Sequence, residues 1–278
     1  MAATKPTSRD TGRGTALTAV GADVRPPLLL QARTRTTQRR SGESASTVDR
    51  PREPAKSAGG MVRILVIDVG GTNVKVLATE QGQARRIPSG PTMTAAEMVA
   101  GVKSLVGDWP YDVVSIGYPG VVIGGRPLHE PRNLGGGWVG FDFHNAFGCP
   151  VKMVNDAGMQ ALGSYEGGRM LFLGLGTGLG SAMIVDGILE PMELAHLPYK
   201  KGRTYEQYLG RQALKSLGKK RWRRHVADVV ERFKVALEAD YIVLGGGNAK
   251  KVGELPPGAR LGANANAFVG GFRLWEGA

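Results

Sequence analysis

Two glycine-rich segments carry the residue types that a phosphate-binding site needs. They are residues 68–72, with the sequence DVGGT, and residues 174–180, with the sequence GLGTGLG. Glycine lets backbone N–H groups approach a phosphate closely, and the threonine in each segment adds a hydroxyl donor. A plain hairpin turn is the alternative for the first segment. The second segment has four glycines in seven residues, more than a simple hairpin needs. The predicted phosphate contacts are Gly70, Gly71, Thr72, Gly176, Thr177 and Gly178.

Two aspartates follow predicted strands and supply the carboxylates that phosphoryl transfer uses. Asp68 ends the strand at 62–68, and its hard oxygen atoms suit a Mg²⁺ ion held through water. Asp156 follows the strand at 151–154, where a carboxylate can accept the proton of an attacking hydroxyl. Aspartate is also a preferred N-cap, so the competing interpretation is that Asp156 only starts the next helix.

A second polar pair, Glu193 and His196, is suited to binding a sugar. The two residues are three positions apart in the segment MELAH, so together they can hydrogen-bond vicinal hydroxyl groups. The alternative is an exposed glutamate beside a structural histidine. From these residues alone, both interpretations stay open.

A dense basic run surrounds Trp222. Its cations are Lys215, Lys219, Lys220, Arg221, Arg223 and Arg224. Such a run is usually the solvated face of a helix, and the alternative is a track for an extended polyanion such as polyphosphate. The net charge of +12 is a weak sign of DNA binding, because residues 1–60 hold 11 Lys/Arg against 5 Asp/Glu and so half of it. No recognition-helix pattern or aromatic platform accompanies the charge, so we expect no nucleic-acid partner.

The predicted elements place the chemical residues at the ends of strands. Buried-strand patterns occur at 62–68, 113–116, 151–154, 170–175 and 241–244. A strand follows each glycine segment where a P-loop or Rossmann fold would have a helix, which excludes both. A strand–glycine–strand unit appears at 64–78 and again at 170–185. The sequence therefore predicts a mixed α/β protein that binds its ligands in crevices at strand ends.

The composition favours a cytoplasmic protein. The single cysteine, Cys149, cannot form an intrachain disulfide, and no Cys/His set predicts a structural zinc site. The apolar run at 26–30 is far too short to cross a membrane, so we expect no membrane partner. Residues 1–60 are rich in Thr, Ser, Arg and Pro, which predicts a disordered basic tail. A tail without function or an extension upstream of a start at Met61 is the simple explanation, and a flexible anion-binding arm is the alternative.

Taken in order, these motifs resemble the ROK family of sugar kinases, and within it the glucokinase and polyphosphate-glucokinase branch. The likeness extends over residues 62–275. Both glycine segments look like the family's phosphate motifs, and residues 245–248 (GGGN) look like the motif that closes over the nucleoside end. Residues 193–196 (ELAH) resemble the family's Glu-Leu-Gly-His element. The cysteine-rich zinc motif that usually follows is absent, and residues 197–206 stand in its place.

This resemblance implies an α/β fold of the actin-like ATPase (ribonuclease H-like) kind, with two lobes and mixed sheets flanked by helices. It implies a first lobe at 61–155, a second at 156–262, and a segment at 263–278 that returns to the first lobe, all preceded by the tail at 1–60. Asp156 falls where the family has its catalytic base. The further contacts implied are Asn133, Asn155, Glu193 and His196 for the sugar, and Asp68, Gly246 and Gly247 for the donor.

The predicted function is transfer of a phosphoryl group from ATP or polyphosphate to the primary hydroxyl of a hexose, first of all glucose, to give glucose 6-phosphate. Mg²⁺ is the expected cofactor, with Asp68 as its residue, and no zinc is expected. A homodimer is implied by the resemblance. The alternatives are a strictly polyphosphate-dependent glucokinase and a non-catalytic sugar or nucleotide sensor.

Overall fold

The first half of the chain builds a five-stranded sheet around the first glycine segment. The computed structural model describes residues 61–263 and 265–276, and the predictions for residues 1–60 lie outside this part of the chain. In chain order the elements are β1 (Ile64–Val69), β2 (Asn73–Ala78), β3 (Arg85–Pro88), α1 (Ala95–Val106), β4 (Val113–Tyr118), β5 (Val122–Ile123), β6 (Arg126–Pro127), α2 (Phe143–Phe147) and β7 (Val151–Asn155).

The second half builds a second five-stranded sheet around the second glycine segment. Two short 3-10 helices, Leu194–His196 and Ala249–Lys251, accompany its regular elements. In chain order these are α3 (Asp156–Ser164), β8 (Arg169–Leu175), β9 (Leu179–Val185), β10 (Ile188–Met192), β11 (Pro198–Lys200), β12 (Arg203–Thr204), α4 (Glu206–Leu209), α5 (Arg211–Ala236), β13 (Tyr241–Gly245), β14 (Ala259–Leu261) and α6 (Asn266–Arg273). Within the described ranges, no helix has the length and apolar composition to cross a membrane.

The two large sheets share one topology. Their strand orders are β3-β2-β1-β4-β7 and β10-β9-β8-β13-β14. In each sheet three strands form an antiparallel meander, and two more strands continue parallel to the first of the three. The repeated strand–glycine–strand unit of the sequence is thus the central hairpin of each sheet, β1–β2 and β8–β9. The prediction of mixed sheets flanked by helices is confirmed.

Local sequence signals explain why the first sheet and its helix form. β1 is a nearly continuous apolar run, and Leu65, Val66 and Ile67 are fully buried, as expected for a strand covered on both faces. α1 starts at the capping box: Glu97 N donates to Thr94 Oγ1 at 3.2 Å, and Thr94 N donates to Glu97 Oε2 at 2.8 Å.

Helices α3 and α6 cross at very close range. A Cβ on Gly163 or on Gly270 would collide with the backbone of the other helix, so the crossing needs glycine at both positions. The segment around α6 also contacts the first sheet, where Ser115 Oγ donates to Gly271 O at 2.6 Å and accepts from Trp275 Nε1 at 2.9 Å. The lobe boundaries given above stay a prediction.

α5 is longer than its sequence pattern predicts. The apolar face from Trp222 to Leu237 indicates a helix over that range, whereas α5 begins at Arg211. It is interrupted at Gly218, whose φ of 73° lies in the left-handed region that glycine tolerates. The helix from Lys219 onward therefore has a start of its own, which lies within the basic run.

Candidate active site

The first glycine segment is a braced turn between β1 and β2. Gly70 N donates to Asn73 O at 3.1 Å within the turn. Ser89 holds the turn from outside, since its Oγ donates to Gly70 O at 2.5 Å and its N donates to Thr72 O at 3.0 Å. Gly71 and Thr72 lie exposed at the tip. The turn is thus fixed in shape and open to a ligand, as a phosphate-binding turn has to be.

Two predicted site residues flank this turn. The side chain of Asp68 is 16% exposed, and its Oδ2 accepts a hydrogen bond from Lys75 Nζ at 3.2 Å across the hairpin. Asn133 approaches from a separate segment, so close that a Cβ on Gly71 would lie 3.0 Å from its Cβ. The fold therefore brings a predicted sugar residue against the predicted phosphate turn.

Asn155 is the residue that caps α3. Its Oδ1 accepts from Ala157 N at 2.9 Å and Gly158 N at 3.4 Å, and its Nδ2 donates to Gly120 O at 2.9 Å. Asp156 is the first helical residue, and its Oδ1 accepts from Ala157 N at 2.8 Å. The interpretation of Asp156 as the N-cap is therefore wrong, and its carboxylate is not committed to starting the helix. Asn155 stays a predicted sugar residue whose side-chain amide already has three structural partners.

The carboxyl group of Asp156 is unusually basic for an aspartate. Burial raises its pKa from an ordinary value near 3.8 to about 7, and the negative charges of Asp68 and Glu193 act in the same direction. The N–H of Ala157 opposes them. Three acidic side chains from separate elements thus lie near one another. A pKa close to neutral is what a general base needs in order to accept a proton and release it again.

The second glycine segment is held by the elements that follow it. Gly176 O accepts from Arg211 N at 3.1 Å and from Asn248 Nδ2 at 3.0 Å, which join the turn to α5 and to the segment after β13. Gly246 has a φ of 80°, and a Cβ there would lie 2.8 Å from the backbone of Leu175. The second and third glycine segments therefore form one unit. The other predicted donor residues lie partly or fully exposed on it: Thr177, Gly178 and Gly247.

Glu206 is a candidate site residue that the sequence did not reveal. It starts α4, and its carboxylate lies against Gly178, in the space that a Cβ on this glycine would take. An acidic group at this point can reach hydroxyl groups of a bound ligand. The contact joins residues far apart in the chain, and such a contact leaves no local pattern in a sequence.

Glu193 directly precedes the short 3-10 helix Leu194–His196 and His196 ends it; both side chains are exposed, whereas Ala195 between them is buried. A cavity of about 440 Å³ adjoins this turn, and Asn155 and Glu193 form part of its wall, while His196 does not. Much of the remaining wall is apolar, including Val122 and Leu189. The volume lies within the range of roughly 300–1,000 Å³ that is usual for small-molecule sites.

The carboxylate of Asp228 is the main anchor of residues 197–206 on α5, and His225 Nδ1 forms a further hydrogen bond with Tyr199 Oη at 3.2 Å. Asp228 Oδ2 accepts from Tyr199 Oη at 2.5 Å, from Arg232 Nε at 2.8 Å and from Lys200 Nζ at 3.2 Å. Burial acts to raise the pKa of Asp228, but the three donors outweigh it and lower the pKa to about 2. The ionised carboxylate therefore fixes the β11–β12 hairpin in place of the missing zinc motif.

Removing the Tyr199 hydroxyl should loosen this hairpin. We expect Tyr199→Phe to lower the free energy of unfolding by about 1–2 kcal/mol, because a hydrogen bond to a charged group that is partly screened by solvent is lost. Urea denaturation measures the change. Tyr205→Phe is the matched control, since Tyr205 stacks on Tyr199 with ring centroids 4.8 Å apart but its hydroxyl donates no hydrogen bond to any described residue. Equal losses in the two variants would contradict the proposed anchor.

The acidic residues fit a Mg²⁺ ion that is shared with a donor phosphate. Asp68 lies close enough to Asp156 for its charge to raise the pKa of that carboxyl group, and both side chains offer hard oxygen ligands. Among the described residues, no group of three or more His, Cys, Asp or Glu side chains could hold a metal ion without other ligands. Mg²⁺ usually keeps several waters and binds through one or two carboxylates plus substrate phosphates. Asp68 therefore stays the predicted metal residue.

Solved structures of proteins named as sugar kinases share this fold. An inorganic polyphosphate/ATP-glucomannokinase from Arthrobacter sp. strain KM superposes with a TM-score of 0.65 at 24% identity, over 76% of this chain and 97% of that one. A ROK family glucokinase from Streptomyces griseus, solved with glucose and AMPPNP, superposes with a TM-score of 0.60 at 17% identity, over 76% and 98% of the chains. At these identities the likeness establishes the fold, which is the two-lobed actin-like ATPase fold.

Sequence comparison gives the family. The model of the ROK family matches residues 64–191. The polyphosphate glucokinase of Mycobacterium leprae (strain TN) is 31% identical over 238 residues, which cover 74% of this chain and 71% of the relative. That of Mycobacterium tuberculosis (strain H37Rv) is 28% identical over 220 residues, covering 69% and 80%. The chain belongs to the ROK family, and it is a phosphotransferase of the sugar-kinase class.

Proposed function

We propose that this chain transfers the terminal phosphoryl group of ATP or inorganic polyphosphate to the primary hydroxyl of glucose. The observation that carries the proposal is the raised pKa of Asp156, about 7, which burial and the negative charges of Asp68 and Glu193 produce. An acid that is half ionised near neutral pH is suited to take the hydroxyl proton as the oxygen attacks phosphorus. The relatives named above as polyphosphate glucokinases support glucose and polyphosphate, and the structural neighbour named as a polyphosphate/ATP-glucomannokinase supports ATP.

In this proposal each group has one task. The bond from the sugar oxygen to the terminal phosphorus forms, the bond from that phosphorus to the rest of the donor breaks, and Asp156 receives the hydroxyl proton. Mg²⁺ bound beside Asp68 would supply positive charge to the phosphoryl oxygens. Asn133, Asn155, Glu193 and His196 would hold the sugar, and the two glycine turns with Gly246 and Gly247 would hold the donor.

A panel of donors and sugars tests the proposal. Glucose, mannose and N-acetylmannosamine are each offered with ATP and with polyphosphate, and the phosphorylated product is measured directly. We expect glucose 6-phosphate from at least one donor. A strictly polyphosphate-dependent enzyme would give product with polyphosphate alone. Sugar binding without product from any donor would contradict the proposal.

A cytoplasmic homodimer is part of the proposal, and light scattering measures the oligomeric state.

A further inference from the structure

α5 and the turn after β13 form a basic strip, which we define as Lys219, Lys220, Arg223, Arg224 and Lys251. Residues 207–227 contain seven Lys/Arg and no Asp/Glu, so nothing in this stretch of chain neutralises the charge. All five side chains of the strip are exposed, and none forms an ion pair with a carboxylate of the described residues. The function proposed above does not use them.

Hydrogen bonds connect the strip to the second glycine turn. Gly176 O accepts from Asn248 Nδ2 at 3.0 Å, and Asn248 Oδ1 accepts from Lys251 Nζ at 2.9 Å. Lys251 O in turn accepts from Arg223 Nε at 2.8 Å. Asn248 at the centre of this connection is 4% exposed, so the connection is built into the fold. The strip therefore begins at the turn that is proposed to hold the donor and continues along the surface.

The spacing within the helix concentrates the charge on one side. Lys219 and Lys220 precede Arg223 by four and three positions, which places all three on neighbouring positions of the helix surface. Like charges at this spacing repel each other and destabilise a helix. A bound polyanion would neutralise these positive charges and so remove the repulsion. A helix face that contacts only solvent gains nothing from several positive charges at this spacing.

The buried state of Trp222 decides which polyanion the strip suits. Its side chain is fully buried, and its Nε1 donates to Leu209 O at 2.9 Å. The aromatic ring inside the basic run is therefore unable to stack on a nucleobase, which is the contact that single-stranded nucleic acids use. A chain of phosphates without bases needs only the cations.

We propose that the basic strip binds the distal part of a long inorganic polyphosphate whose terminal phosphate lies in the second glycine turn. This inference rests on the proposed function and assigns to it an extended donor site. In each turnover the terminal phosphorus–oxygen bond of the polyphosphate breaks and the chain shortened by one phosphate leaves along the strip. The strip acts on donor binding and does not touch the reacting atoms.

The test compares two double variants of the full chain. Lys219→Gln/Lys220→Gln removes two charges from the strip, and Arg86→Gln/Lys103→Gln removes two exposed charges from β3 and α1, away from it. KM is measured for long-chain polyphosphate, tripolyphosphate and ATP at two salt concentrations. We expect the strip variant to raise KM for the long chain about tenfold and to weaken its salt dependence, because fewer counterions are displaced. KM for ATP and tripolyphosphate, and kcat with every donor, should stay within about twofold.

Direct binding separates a failure of this inference from a failure of the proposed function. Calorimetric titration with long-chain polyphosphate requires no turnover, so it tests the strip even if no sugar is phosphorylated. Weaker binding in the strip variant than in the control supports the inference. An unchanged affinity, an equal rise of all three KM values, or wild-type protein that binds no polyphosphate would overturn it. Loss of binding to single-stranded DNA that exceeds the loss for polyphosphate would overturn it in favour of a nucleic-acid site.

Discussion

Asp156→Asn should lower kcat for sugar phosphorylation by about 10²–10⁴-fold, the usual contribution of a general base. The amide has the shape of the carboxyl group, but it is unable to accept a proton from the attacking hydroxyl. Its Oδ1 can still accept the hydrogen bond that Ala157 N gives to Asp156 at 2.8 Å. Because Asn155 caps α3, the start of the helix stays intact. Steady-state kinetics with a saturating donor measures the loss.

The stability of the same variant distinguishes lost chemistry from lost structure. Burial and two neighbouring negative charges disfavour the ionised form of Asp156 in the folded protein, and a neutral amide is free of this penalty. The melting temperature should therefore rise at pH 8 while turnover is lost. Asp186→Asn is the control, since Asp186 lies exposed in the β9–β10 turn with a φ of 50° that asparagine tolerates. Normal turnover in Asp156→Asn would eliminate the proposed base.

The sequence predicts the helices and strands whose formation depends on residues close together in the chain. The capping box at Thr94 and Glu97 starts α1 where expected, and the apolar runs become the central strands of both sheets. α6 escapes prediction because it contains Gly270 and Gly271, which weaken a helix in isolation. Those glycines are explained by tertiary contacts, since Gly270 meets α3 and Gly271 meets Val66 of β1.

The same distinction between local and tertiary signals applies to the residues of the candidate site. Both glycine turns are visible in the sequence because several of their features are local. The sequence does not show whether Asn155 or Asp156 caps α3, because both residue types are good N-caps. Only the backbone geometry decides between them. The raised pKa of Asp156 depends on Asp68 and Glu193, which the fold brings in from other elements. Glu206 reaches the site only through tertiary structure.

The rate should depend on pH in a range where an ordinary aspartate is already fully ionised. Asp156 accepts a proton only in its ionised form, and its pKa is raised to about 7. We therefore expect kcat/KM, which reports the free enzyme, to fall about tenfold between pH 8 and pH 6. An aspartate with a pKa near 3.8 would give a flat profile over this interval. The profile is measured with saturating Mg²⁺ and constant ionic strength.

Variants of the neighbouring charges test the origin of this pH dependence. Glu193→Gln removes one of the charges that raise the pKa of Asp156, so the acid limb should move to lower pH even though sugar binding weakens. His196→Asn removes a titratable side chain from the predicted sugar site and should leave the limb in place. A limb that disappears with His196→Asn would assign it to the histidine and contradict the role of Asp156.

The raised pKa of Asp156 also predicts whether the folded protein becomes more or less stable as the pH rises. The unfolded chain releases the Asp156 proton near pH 4, whereas the folded protein retains it up to about pH 7. Between these values the folded state binds more protons, so its stability should decline as the pH rises. This decline in stability should be absent in Asp156→Asn, because an amide does not ionise. The two proteins should therefore melt at similar temperatures below about pH 4, where the folded and unfolded chains both retain the Asp156 proton, and the variant should melt at the higher temperature at pH 8. If wild type were the more stable protein at pH 8, the carboxylate would be stabilised by the fold, and an ordinary or lowered pKa would make it a weak base.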